Sequence, residues 1–210
     1  MANTDWSAWH DAYAAPGSGL SDRLAAVRSQ IDRVLDTTAP NPLRVVSACA
    51  GDGRDLLGVL ARRSDAGRVT ALLVEYDAVL AARARQTAAP LPARVEVRQA
   101  DAAQSDVYSD AVPVDLLLLC GIFGNISDRD VRRTVEAARQ LSAPGAEVIW
   151  TRHRGEPDLT PSIREWFAAA GFEELAFVAP ESDTWSVGVH RLVAPPRPLE
   201  PGRHWFTFLR

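Results

Sequence analysis

The sequence has few cysteines, no long apolar run and no cluster of positive charge, and each absence excludes a class of protein. Its two cysteines, Cys49 and Cys120, give neither a disulfide framework nor a metal-ligand spacing. No apolar run approaches the roughly 20 residues that a membrane-spanning helix needs. The amino terminus lacks the basic start and apolar core of a secretion signal. We therefore expect a cytoplasmic protein with no membrane partner.

Charge and composition narrow the class further. The net charge is −4, and the 23 basic residues, all of them arginine, are scattered, so we expect no nucleic-acid partner. The 210 residues are 47% hydrophobic and 24% charged, which is typical of a globular domain. The sequence contains no internal repeat and no long linker. We predict a single domain over residues 1–210, with residues 1–40 as an amino-terminal helical lid segment.

Five short apolar segments alternate with segments of helical periodicity. Each is rich in Val and Leu and nearly continuous in apolar character, which is typical of parallel strands covered on both faces. Strands that alternate with helices indicate right-handed crossovers and a doubly wound α/β sheet. The predicted strands are 43–48, 68–75, 94–99, 114–120 and 146–151.

Helix signals surround these strands. An apolar stripe from Leu20 to Leu35 predicts a helix that ends before Pro40. Ser127 is a predicted N-cap, and Thr160, followed by a proline, is predicted as the cap of a later helix.

The carboxyl-terminal part departs from the alternating pattern. Three strand-like segments, 173–178, 185–193 and 205–209, follow one another between turn and proline signals. An antiparallel hairpin accounts for this ending better than another crossover. We therefore predict a seven-stranded, mostly parallel sheet with helices on both faces, one antiparallel strand and the helical lid.

Four segments at strand ends carry the candidate binding residues. In an open parallel sheet, ligands bind beyond the carboxyl ends of the strands. The first segment is a glycine-containing turn, which lets a ligand approach the backbone. The second and third carry carboxylates that suit a ribose diol and an adenine amino group, and the fourth is again a glycine-containing loop. The residues are Ala50, Gly51, Gly53 and Arg54, then Glu75 and Tyr76, then Asp101 and Ala102, then Cys120 and Gly121.

This order of loops resembles the class I methyltransferases that depend on S-adenosylmethionine (SAM), from about residue 43 to the carboxyl terminus. The resemblance implies SAM as the cofactor and transfer of its methyl group to the oxygen or nitrogen of a small molecule. It assigns the glycine loop to Gly51 and Gly53, the ribose to Glu75, the adenine to Asp101 with Ala102, and the methionine side to Cys120 and Gly121.

The first loop departs from the family pattern at two positions. Ser47 stands where the family has an acid, and Cys49 stands where it has the first glycine. A backbone carbonyl near Cys49 or Cys120 is the expected substitute partner for the methionine ammonium. Arg54 or Tyr13 is the expected partner of the methionine carboxylate.

Other nucleotide-binding motifs are absent from the sequence. A nicotinamide-dependent dehydrogenase needs Gly-x-Gly-x-x-Gly, but Leu56 lies three residues after Gly53. A P-loop needs Gly-Lys-Ser/Thr, which the sequence lacks. Two alternatives stay open: an enzyme that consumes SAM by another reaction, such as cyclisation of its side chain, and a SAM-binding module without activity.

Histidines are the natural candidates for removing a proton from the methyl acceptor, because imidazole titrates near neutrality. His153, just after the fifth strand, and His190, in the carboxyl-terminal part, are predicted catalytic residues, and Asn125 is predicted to orient the acceptor. The alternative for each histidine, and the preferred interpretation of His204, is a structural role. Asn125 alternatively caps the turn before the Ser127 helix. No pair of carboxylates is spaced to bind a metal, so none is predicted.

An aromatic segment precedes the first predicted helix. Trp9 and Tyr13 are followed by a Pro-Gly-Ser-Gly sequence whose glycines leave the backbone free to bend. We predict that this segment folds over the cofactor as part of the lid and excludes water from it.

Overall fold

A seven-stranded sheet lies at the centre of the computed structural model, which describes residues 18–209. The strands lie in the order β3-β2-β1-β4-β5-β7-β6. Strand β7 is antiparallel to both of its neighbours, and the other pairs are parallel. The predicted α/β sheet with one antiparallel strand is confirmed. The bounds are β1 Leu43–Ala48, β2 Val69–Glu75, β3 Arg94–Gln99, β4 Val114–Leu119, β5 Ser142–His153, β6 Phe172–Val178 and β7 Trp185–Leu192.

Helices cover both faces of the sheet and divide the core in two. Alternate residues of a strand point to opposite faces, so Val46 belongs to the buried cluster that includes residues of α4 and α5, whereas Val45 belongs to the cluster that includes residues of α1, α2 and α3. This arrangement explains why the central strands are apolar along nearly their whole length. The helices are α1 Gly19–Thr38, α2 Leu56–Leu60, α3 Ala78–Ala88, α4 Asp128–Leu141 and α5 Thr160–Ala169.

The helix starts agree with the sequence in one case and differ in the other. The Ser127 hydroxyl accepts a hydrogen bond from the Asp130 N–H at 3.2 Å, which confirms the predicted N-cap of α4. Thr160, in contrast, is the first residue of α5 rather than its cap. The Asp158 carboxylate accepts from both the N–H and the hydroxyl of Thr160 at 2.8 Å, so this acid supplies the acceptor that was assigned to Thr160.

Helix α1 belongs to the core. It ends at Thr38, as the apolar stripe predicts, and it buries Val27, Ile31 and Leu35. The rest of the predicted lid segment, including Trp9 and Tyr13, lies outside the described residues, so the lid stays a prediction. Within residues 18–209, no helix combines the length and apolar character needed to cross a membrane.

The predicted strand over residues 205–209 does not form. This segment belongs to a carboxyl-terminal tail, residues 193–209, that makes two isolated bridges, one between His204 and Gln104 and one between Phe208 and Ile126. The backbone of the tail pairs with loops rather than with an edge of the sheet, which is why strand-like composition here does not give a strand.

Candidate functional site

A cleft of about 540 Å³ opens at the carboxyl ends of β1, β2, β3 and β4. It lies where the strand order reverses around β1, the usual ligand position in an open parallel sheet. Every predicted cofactor-binding residue that the structure describes lines this cleft, apart from Gly53. Tyr13 lies outside the described residues. The lining members are Ala50, Gly51, Arg54, Glu75, Tyr76, Asp101, Ala102, Cys120 and Gly121.

Glu75 is a buried carboxylate held between two loops. One of its oxygens accepts from the Gly51 N–H at 2.7 Å and the other from the Asp77 N–H at 2.8 Å. Burial raises the pKa of Glu75, and these amide hydrogen bonds oppose the shift. A carboxylate has about four acceptor sites, so Glu75 retains capacity to accept hydroxyl donors from the cleft.

The loop after β1 uses left-handed backbone at alternate residues. Cys49, Gly51 and Gly53 have φ values of 52°, 60° and 72°. Cys49 is the one non-glycine residue with positive φ in the described part of the chain, a backbone region that favours glycine. A Cβ on Gly53 would lie 2.7 Å from Leu57 and 2.8 Å from Leu73. Gly53 is therefore required by packing under the loop rather than by contact with a ligand.

Asp55 is a cleft residue that the sequence reasoning missed. It is 9% exposed, and its carboxylate accepts from the Leu56 N–H at 2.7 Å. Burial raises the pKa of Asp55, and burial followed by the charge of Asp55 raises the pKa of the nearby Cys120 thiol. In the resembling family the acid stands at the strand-end position, which is Ser47 here; Ser47 is 2% exposed and does not line the cleft.

Two arginines bring positive charge to the same cleft. Arg54 lines it, and its guanidinium donates to the Asp52 carboxylate at 2.8 Å. Arg23 lines it from α1, a helix that lies within the predicted lid segment, residues 1–40. Helix α1 also holds the loop itself, because Arg28 donates to the Arg54 carbonyl at 3.0 Å.

The tail supplies a wall that was not predicted. His204, Phe206, Thr207 and Phe208 line the cleft, and His204 Nε2 lies 3.4 Å from a carboxylate oxygen of Asp101. The sequence pattern of this segment predicts one more strand, and nothing in the pattern indicates which loops the segment contacts.

None of the three predicted catalytic residues lines the cleft. His153 is exposed at the end of β5, where Nδ1 accepts from the Gly155 N–H and Nε2 lies 2.7 Å from the Thr184 hydroxyl. Asn125 donates to the Gly121 carbonyl at 2.8 Å, an arrangement that fits the alternative role of capping this turn.

His190 lies in the core. It is 1% exposed, its Nδ1 accepts from the Trp150 indole N–H at 3.1 Å, and its ring stacks on Phe167 with centroids 4.4 Å apart. Burial lowers the pKa of His190 to about 4. This position fits the alternative interpretation of a hydrogen-bonded structural residue.

Within residues 18–209, no group of three or more His, Cys, Asp or Glu is placed to hold a metal ion.

Comparison with known proteins gives matches of structure and not of sequence. No family model and no curated protein matches the chain. Magnesium protoporphyrin IX methyltransferase from Synechocystis, solved with bound SAM, is 11% identical with a TM-score of 0.70, over 90% of this chain and 92% of that one. A TehB-like SAM-dependent methyltransferase from Corynebacterium glutamicum is 15% identical with a TM-score of 0.60, over 91% and 95%.

This chain has the class I SAM-dependent methyltransferase fold. The same fold is found in the [4+2]-cyclase SpnF, which is 16% identical with a TM-score of 0.58 over 81% of each chain. At these identities the likeness concerns the fold alone.

Proposed function

We propose that this protein is a SAM-dependent methyltransferase that methylates the oxygen or nitrogen of a small molecule. The observation that carries the proposal is Glu75, a buried carboxylate that accepts hydrogen bonds from two backbone amides at the carboxyl end of β2. Burying a carboxylate in this way is costly unless a ligand or partner group uses its remaining acceptors. The paired hydroxyls of a ribose are donors of the required kind.

The rest of the cleft fits the other groups of SAM. Its volume lies within the range of small-molecule sites, about 300–1,000 Å³. At one part of the lining, Asp55 is close to Cys120, and Arg23 and Arg54 add positive charge. A carboxylate and guanidinium groups together suit a zwitterionic amino acid, since each charge of the ligand finds an opposite charge. Asp55 thereby takes the role left open by Ser47.

The protein's part in such a reaction is alignment and desolvation. SAM, when bound, supplies a methyl group activated on a sulfonium. The buried carboxylates, Glu75 and Asp55, orient the cofactor, while the small residues Ala50 and Gly121 leave space beside it. For proton removal, we keep His153 as a candidate because it is exposed at the same edge of the sheet. A small-molecule acceptor and a cytoplasmic location remain part of this proposal.

The test is calorimetry with S-adenosylhomocysteine (SAH), the demethylated product. We expect Glu75→Gln to weaken binding by about 1–3 kcal/mol, because a charge-assisted hydrogen bond is lost. The matched control is Glu96→Gln, which alters a carboxylate that is 57% exposed in β3 and away from the cleft. Unchanged affinity in Glu75→Gln, or a clear binding heat with NAD, would contradict the proposal.

One alternative is a SAM-consuming enzyme that does not methylate. The [4+2]-cyclase SpnF supports only the wider point that a protein of this fold can catalyse a reaction other than methyl transfer. The other is a SAM-binding module without activity. Product analysis after incubation with SAM and a small-molecule extract separates the three. A methyltransferase yields SAH, cyclisation of the aminobutyryl chain yields methylthioadenosine, and an inert module returns SAM unchanged.

A further inference from the structure

The connection from β3 to β4, which the structure describes throughout, contains no α-helix, although parallel crossovers usually carry one. Its one helical piece is the 3₁₀ turn Ser105–Tyr108. Trp205 and Phe206 of the tail fill this space and are 4% and 2% exposed. The indole of Trp205 stacks on the Tyr108 ring with centroids 5.6 Å apart. The tail thus takes the place of a helix against this face of the sheet.

Backbone hydrogen bonds fix the tail on two loops of the cleft. The Trp205 N–H donates to the Ala103 carbonyl, after β3, at 2.9 Å. The Leu209 N–H donates to the Asn125 carbonyl, after β4, at 2.9 Å. Because both ends are anchored, the segment between them spans the cleft from the β3 side to the β4 side.

The anchored segment presents aromatic surface to the cleft. Phe206 and Phe208 both line it, and their rings meet edge to face with centroids 5.7 Å apart. Tyr76, which is 77% exposed, lines the same cleft from the loop after β2. Aromatic side chains from the tail and from the loop after β2 can bind a flat ring, because stacked and edge-to-face arrangements of aromatic rings are favourable.

The charges around this surface restrict what kind of ring it can hold. Glu75, Asp77 and Asp101 line the cleft here, so an anionic group would be repelled. Asp101, beside His204, offers a carboxylate oxygen to an N–H donor. An uncharged planar ring that bears an amino group satisfies both conditions.

We propose that the carboxyl-terminal tail forms the wall that holds the adenine ring of the cofactor, with Phe208 as the contacting side chain. This inference rests on the proposed function, because adenine is the planar, amino-bearing part of SAM. It makes residues 204–208 part of the binding site rather than a covering of the core alone.

The test compares two ligands on one variant. Adenosine shares the base and ribose of SAH but lacks the amino-acid part. We expect Phe208→Ala to weaken the binding of both ligands about tenfold, in line with the loss of one base–aromatic stack. Leu209→Ala is the matched control, because Leu209 is the next residue, is 67% exposed and does not line the cleft. We expect this control to bind both ligands like the wild type.

The outcomes separate this inference from the proposed function. Wild-type affinity of Phe208→Ala for both ligands overturns the role of the tail and leaves the proposed function intact. Weaker binding of SAH alone also overturns it, because the contact would then be with the amino-acid part. Failure of the wild type to bind either ligand overturns the proposed function, and this inference with it.

Hydrogen exchange of the wild-type protein, followed by NMR, gives a readout that does not depend on a variant folding. Saturating SAH should slow exchange at the Trp205 and Leu209 amides by about tenfold or more, as expected when a ligand stabilises the bound conformation. The Arg197 amide, which donates to the Arg139 carbonyl outside the cleft, is the internal control. Exchange slowed no more at the two tail amides than at Arg197 overturns the inference.

Discussion

Protonation of His190 should make the stability of this fold depend on pH below neutrality. The indole of Trp150 can only donate, so Nδ1 of His190 is the acceptor and the proton of the neutral ring lies on Nε2. Among residues 18–209, buried Nε2 has no hydrogen-bond partner, and the nearest carboxylate oxygen, on Glu174, is 3.7 Å away. A second proton would have to enter at Nδ1, where it would break the bond from Trp150 and place a charge in the core.

The size of the effect follows from the shift in pKa. Burial lowers the pKa of His190 from 6.5 to about 4 in the folded protein. The unfolded chain therefore takes up the proton at a higher pH than the folded chain. The contribution of neutral His190 to the free energy of unfolding is present above pH 6.5 and is lost as the pH is lowered towards 4. Linkage gives a loss of about 2 kcal/mol at pH 5 and about 3 kcal/mol at pH 4.

The assay is urea denaturation of the wild type and His190→Asn between pH 8 and pH 4. Asparagine offers an acceptor to Trp150 and does not titrate, so its pH-independent packing cost cancels when slopes are compared. Other acidic groups, among them Glu174, whose pKa Arg164 holds below its usual value, titrate in both proteins. We expect the advantage of the wild type over the variant to shrink by about 3 kcal/mol over this range. Parallel stability curves would refute the reasoning.

The parallel strands and most of the cleft lining around their carboxyl ends could be predicted because parallel strands leave strong local patterns. A strand buried on both faces must be apolar, and its carboxyl end must carry the small or acidic residues that a ligand needs. Gly51, Glu75 and Asp101 were found in this way, each from its position after a strand. Strand ends that depend on pairing rather than on composition were missed: β5 starts at Ser142, before the predicted 146, because its backbone pairs with Val114.

Residues that reach the site by tertiary packing could not be found from local pattern. Arg23 lines the cleft only because α1 packs beside the β1 loop, and Phe208 does so only because the tail crosses two loops. The core position of His190 was not foreseen, for the converse reason. The segment around His190 has a composition typical of a site, with polar and aromatic residues. The alternation of side chains along β7, however, points His190 into the core.

Two further predictions concern the core and the amino-acid end of the cleft. A Cβ on Gly188 would collide with the Trp150 indole, so Gly188→Ala should cost about 1–3 kcal/mol of unfolding free energy. Gly124→Ala, where a Cβ meets no atom of the described residues within 4 Å, should change little, and equal urea midpoints for the two variants would contradict the packing argument. Asp55→Asn keeps an oxygen to accept the Leu56 N–H that Asp55 now receives but removes the negative charge near Cys120. Because the methionine ammonium is the group that needs this charge, calorimetry should show SAH binding weakened by about 1–3 kcal/mol and adenosine binding unchanged. An equal loss for both ligands would mean that Asp55 holds the loop rather than the ammonium.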